Sequence, residues 1–117
     1  MTLVPLSTYL KMYRKRTGLS HEDLAFLLGG MSGSSVSRHE RSERIPLLRT
    51  VLMYEFILDT PACDLYKGVS FEARMAVRKR AVGLLASLEK QKRNATRDRK
   101  ILVVRKLLDE EVTPDAA

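Results

Sequence analysis

Residues 20–46 read SHEDLAFLLGGMSGSSVSRHERSERIP. Ser20 suits a helix N-cap, because its hydroxyl can accept a bond from a free amide of the first turn, and Glu22 and Asp23 favour the positive end of the helix that follows. Leu24, Leu27 and Leu28 give that helix an apolar face, and Gly29 and Gly30 stop it. Ser32 or Gly33 opens a second helix, roughly Ser34 to Arg41, with Val36 facing inward. Ile45-Pro46 is extended, since a residue before proline avoids the α region. Two short helices meet at a glycine turn, and the second begins with small polar residues and carries arginines. A chain sets one helix into the major groove of DNA with that arrangement.

Three residues carry the turn. A bulky side chain where the two helices cross would push them apart, and Ala25 avoids this. Gly29 permits the positive backbone angle of a tight turn. Val36 plugs the second helix into the core. An ordinary helical hairpin also favours Ala and Gly, so the surrounding motifs matter.

Those motifs are Arg14, Gly18-Leu19-Ser20, Glu22-Asp23-Leu24-Ala25, Leu28-Gly29, Val36-Ser37-Arg38, Glu40-Arg41, Arg44 and Pro46. In this order and at these spacings the chain resembles the Xre-type (lambda/Cro repressor-like) helix-turn-helix regulators from about Leu10 to Gly68. The resemblance implies an all-α bundle of about five helices, followed here by a C-terminal helical extension. Two departures stand out. Ala25 to Val36 is one residue longer than the family's usual distance, and the extra residue lies in Gly29 to Gly33. A recognition helix that is tilted or starts later is expected. Ser42 stands where the family often has Gly or Asn, so the helix is expected to end differently.

The resemblance also implies residue roles. Gly33, Ser34, Ser35, Ser37 and Arg38 fall at the base-reading end of the recognition helix. Arg38 has the reach for a bidentate bond to guanine, or for a phosphate. His21, Arg41 and Arg44 take the phosphate positions. Arg14 and Glu40 join helix one to the end of the recognition helix and fix its angle without reading bases. His39 should be partly exposed, pointing away from Val36.

Composition agrees with a regulator. The chain has 117 residues, enough for one small domain with an appendage, and its net charge of +7 points to an anionic partner. The charge is uneven: residues 73–106 hold twelve Lys/Arg against two Asp/Glu, whereas residues 107–117 hold only acids. The lone cysteine, Cys63, excludes an internal disulfide and a cysteine zinc site, and its apolar setting suggests core. No cofactor or metal is expected, since His21 and His39 lack ligand partners at useful spacing. Neither a phosphate loop nor a serine elbow is present, so an enzyme is not expected. No leader or membrane span is visible, and the expected setting is a reducing cytoplasm, on the nucleoid.

Helical periodicity extends along most of the chain. A first helix is expected over Leu6 to Thr17, ended by Gly18, and a fourth over Leu47 to Leu58. Thr60-Pro61 should cap a short helix through Cys63 and Tyr66 that ends at Gly68. This places a domain boundary between residues 1–68 and 69–117. Ser70 then caps a long helix to at least Leu88. Gln91 to Lys100 is a solvated helix or linker, Ile101 to Val112 a last amphipathic helix, and residues 113–117 a frayed tail.

Phe71, Met75, Val82 and Leu85, with Ile101, Val104 and Leu108, form apolar stripes that suit packing back on the core, a homodimer or a protein partner. The basic run at Lys79-Arg80 and Lys90–Lys100 suits flanking phosphates or the outer face of an oligomerisation helix. The expected function is sequence-specific binding of double-stranded DNA by a dimeric repressor reading with residues 34–41. The alternative is an antitoxin or adaptor whose residues 70–112 hold another protein, with DNA binding for autoregulation. RNA is a weaker option, because few aromatics are available for stacking.

Overall fold

In a computed structural model, which describes residues 8–110, seven helices follow one another: α1 (Leu10–Thr17), α2 (His21–Leu28), α3 (Gly33–Glu40), α4 (Leu48–Leu58), α5 (Ala62–Leu65), α6 (Lys67–Glu89) and α7 (Ala95–Asp109). No strand occurs among the described residues, and the fold is an all-α helix-turn-helix bundle. The chain divides into two compact units, residues 1–70 and 71–117, so α6 begins in the first and runs through the second.

Local chemistry explains most helix ends. Ser20 and Asp23 form a reciprocal capping box, each side chain accepting from the other's backbone amide at 3.0 Å. The Ser20 backbone amide, and after it the Ser20 hydroxyl, lower the Asp23 pKa by hydrogen bonding to the carboxylate. α1 ends on Gly18 in the left-handed region, with Arg14, Lys15 and Arg16 in the last turn where the dipole favours cations. α1 starts at Leu10, later than the expected Leu6, which lies outside the described residues, as do Val112 and the tail 113–117. The start of α1 is tied to the end of α5: the Tyr9 amide and the Thr8 hydroxyl both donate to the Leu65 carbonyl at 2.9 Å.

Two expectations around α5 fail. Thr60 does not cap it. Its hydroxyl donates backward to the Leu58 carbonyl, Pro61 occupies the cap position, and the Glu55 carboxylate accepts from the Ala62 amide at 2.7 Å. Nor does Gly68 end a helix: it lies inside α6, and the Ser70 amide bonds to the Tyr66 carbonyl in the first turn. One interior glycine costs a helix only about 1 kcal/mol, too little to break a long one.

The core of the first unit joins Leu10, Leu24, Ala25, Leu28, Val36, Tyr54, Leu58, Leu65 and Tyr66. It draws on α1 to α5, and Val36 carries α3 into it. The second unit is a helical hairpin turned at residues 90–94. Its small core is Ala81 and Leu88 against Ile101 and Val104, flanked by Leu85 and Leu108. The structure therefore takes Leu85, Ile101, Val104 and Leu108, expected on a partner surface, into the hairpin itself. Phe71 is half-buried, and Met75 and Val82 remain exposed. Cys63, expected in the core, is exposed on α5. No described helix is long and apolar enough to cross a membrane.

Candidate nucleic-acid interface

The extra residue in the turn is absorbed by the backbone. Gly29 and Gly30 both take positive φ, 79° and 97°, a conformation costly for a residue with a Cβ. Ser32 then caps α3, its hydroxyl accepting from the Ser35 amide, so α3 starts at Gly33 and Val36 is still fully buried. At the other end Ser42 adopts φ 61°, so α3 ends in the left-handed conformation that glycine or asparagine would supply, not differently as expected.

On α3 and its C-cap the outward face carries Ser34, Arg38 and Arg41, all exposed, with Ser37 half-buried beside them. These positions recur at helical spacing and form one strip. Several of these polar groups are already engaged. The Ser32 hydroxyl lies 2.9 Å from that of Ser34 and 3.2 Å from that of Ser35. Arg41 donates to both carboxylate oxygens of Glu43, at 2.6 and 3.2 Å, and to the Ser37 hydroxyl at 3.0 Å. The hydrogen bond from Arg41 holds the Glu43 carboxyl below its usual pKa. A phosphate approaching Arg41 must compete with Glu43, which sequence reasoning did not single out. Gly33 lies against α2, where a Cβ would collide with the Glu22 carboxylate. That carboxylate beside the start of α3 was also missed. Arg38 and Arg44 are exposed and have no ion-pair partner among the described residues.

Behind this face sits a buried ion pair that links α3 to α1 and α2. Glu40, its side chain 3% exposed, accepts from Arg14 Nε at 2.5 Å and Nη2 at 3.3 Å, while Arg14 Nη1 donates to the Leu19 carbonyl at 2.9 Å. His21 Nε2 lies 2.9 Å from Glu40 Oε1, the oxygen that Arg14 Nη2 also reaches. Burial alone would raise the Glu40 pKa, but the hydrogen bonds and charges of Arg14 and His21 outweigh it and hold the carboxyl below 4.5. One carboxylate at the end of α3 thus joins α1 and the start of α2. His21, expected at a phosphate, is turned inward to this carboxylate.

His39 corrects another expectation. It is 2% exposed, because residues three apart share a helix face and Val36 is its neighbour on the buried side. Its Nδ1 lies 2.7 Å from the Tyr54 hydroxyl, and the two rings meet edge-on. Burial and the Arg44 charge push the His39 pKa below 6.5. Burial also raises the Tyr54 and Tyr66 pKa values, and the Tyr66 hydroxyl has no hydrogen-bond partner among the described residues. Among the described residues no group of three or more His, Cys, Asp or Glu could hold a metal ion.

A family model described as a helix-turn-helix domain matches residues 5–53. No curated protein and no solved structure matches the chain. The matched segment covers α1 to α3 and the first half of α4, which are the elements that position the strip on α3. Residues 5–53 are thus similar to a helix-turn-helix domain, the module that the resemblance to the Xre-type regulators implies.

Proposed function

We propose that the chain is a sequence-specific double-stranded DNA-binding transcriptional regulator, a dimeric repressor that reads the major groove with α3. The observation that carries this reading is the division of α3 into two faces. Val36, His39 and Glu40 are buried and bonded to the rest of the unit, while Ser34, Arg38 and Arg41 stand outward. A reading helix needs both properties: a fixed angle and a polar outer face. Arg38 is the base-reading residue, with Gly33, Ser34, Ser35 and Ser37 in close approach. Arg44 faces phosphate, and Arg41 does so once released from Glu43. Arg14 and Glu40 orient the helix, and His21 joins them.

One recognition helix spans too few base pairs for an operator, so two copies act together. Selection of bound duplexes from a random pool tests this. A palindromic site is expected, its half-site spacing giving the dimer geometry. No enrichment overturns the reading.

The second reading, an antitoxin or adaptor, draws on the exposed apolar side chains of the hairpin, including Val82, Leu102 and Val103. A stoichiometric protein partner recovered from native host lysate supports it. Free dimers that shift selected DNA support the repressor. Either protein works in the cytoplasm, on the nucleoid.

A further inference from the structure

We propose that the turn end of the α6–α7 hairpin is a second, sequence-independent docking surface for the phosphate backbone of duplex DNA; the choice of duplex DNA as its polyanion rests on the reading of α3 given above. The local charge is one-sided, with twelve Lys/Arg and two Asp/Glu over residues 73–106. Both acids are consumed inside the hairpin: Glu89 by Arg105 at 3.1 Å and Asp98 by Arg97 at 3.0 Å. Lys90, Lys92, Arg93, Arg99 and Lys100 are exposed, and none is paired with a carboxylate among the described residues. Five unneutralised cations within eleven residues fit a polymer carrying one charge per ~1.7 Å of axis.

The turn that displays them is built rather than loose. Arg97 Nε donates to the Leu88 carbonyl at 3.0 Å and Nη2 to the Glu89 carbonyl at 3.3 Å, closing the last turn of α6. Asn94 caps α7, its side chain accepting from the Arg97 amide at 2.8 Å. One arginine thus serves both helix ends, and the cations sit on an ordered turn (Lys90, Lys92, Arg93) and on the start of α7 (Arg99, Lys100), whose backbone loses little conformational freedom on binding.

Composition then selects among polyanions. The second unit has Phe71 as its only aromatic, which leaves no platform for stacking single-stranded bases. Residues 89–100 contain no apolar side chain larger than Ala95, so the turn has nothing to insert into a membrane interface. The same lack removes the buried anchors that carry protein–protein affinity. Duplex phosphates, recognised by charge alone, remain.

The test uses the full chain with Lys90→Gln, Lys92→Gln, Arg93→Gln and Lys100→Gln combined, and a labelled duplex of arbitrary sequence titrated at several salt concentrations. Each lost phosphate contact flattens the slope of log affinity against log salt by about 0.9, so four flatten it by about 3.6. Between 50 and 200 mM salt the parent chain then loses about 150-fold more affinity than the variant. The melting curve should match the parent's; if it does not, Lys90→Gln with Lys92→Gln alone should flatten the slope by about 1.8. A slope unchanged within about one unit in the folded fourfold variant overturns the proposal. So does loss of binding to phosphatidylserine vesicles with duplex binding unchanged. Arg38→Ala separates the two readings. If it leaves base preference unaltered, the reading of α3 fails, while the salt slope still reports on the hairpin.

Discussion

Truncating Arg14 to alanine removes three hydrogen bonds, two to Glu40 and one to the Leu19 carbonyl. The Glu40 carboxylate, 3% exposed, then keeps only His21. Removing one partner of a buried ion pair costs about 3–5 kcal/mol, chiefly the penalty of the charge left behind. Because His21 still serves one oxygen, the lower figure applies, about 3 kcal/mol. For a unit of this size that lowers the melting temperature by about 12–24 °C.

All four tyrosines lie within residues 1–70, and the chain has no tryptophan. Tyrosine fluorescence during urea unfolding therefore reports the first unit alone. The companion variant, Arg14→Ala with Glu40→Leu, removes the stranded charge as well and should be more stable than Arg14→Ala alone, since replacing both partners approaches neutrality. A loss below about 1 kcal/mol for Arg14→Ala refutes the burial argument, and so does a double variant as unstable as the sum of its parts. On DNA, Arg14→Ala should weaken every sequence by the same factor. A loss confined to one base position refutes the orienting role.

Arg38→Ala should behave oppositely, costing about 1–3 kcal/mol of discrimination at one base position, measured by competition between single-base operator variants. Stability should fall with pH in two separate windows. His39 has a folded pKa below its unfolded 6.5, so the unfolded chain binds the proton more readily and stability declines as pH drops below 6.5; His39→Gln should abolish this arm of a urea-midpoint profile. The Glu40 carboxyl is held below 4.5, so its stabilisation is complete above that value and is lost as pH falls through the folded pKa; Glu40→Gln should flatten that arm. Asp59 ends α4 at φ 49°, where glycine is unstrained and a negative charge opposes the dipole, so Asp59→Gly should raise stability by about 1 kcal/mol in urea unfolding. Gly18→Ala, at φ 81°, should lower it by about 1–2 kcal/mol in the same assay.

Features written within a few residues were legible before any coordinates. The Ser20 cap, the glycine ends of α1 and α2 and the inward placement of Ala25 and Val36 each depend on a residue and its near neighbours along one helix. The Arg14–Glu40 pair spans 26 positions and was reached only through the family resemblance. Where local reasoning misled, a competing contact lay elsewhere. Gly68 continues a helix that twenty-two other residues sustain. The Thr60 hydroxyl finds the Leu58 carbonyl, while Glu55 accepts from the Ala62 amide.

By itself the sequence determined that this protein is helical, that residues 20–46 turn one short helix onto another, and that its second half is strongly basic. Helix propensity, capping and charge are properties of neighbouring residues and survive without a partner. Only the tertiary structure decided which group each polar side chain meets. His21 goes to Glu40 rather than outward, His39 goes inward to Tyr54, and the apolar stripes of α6 and α7 partly satisfy each other. A donor takes the acceptor that packing brings within about 3 Å, and that choice depends on the crossing of helices far apart in the chain.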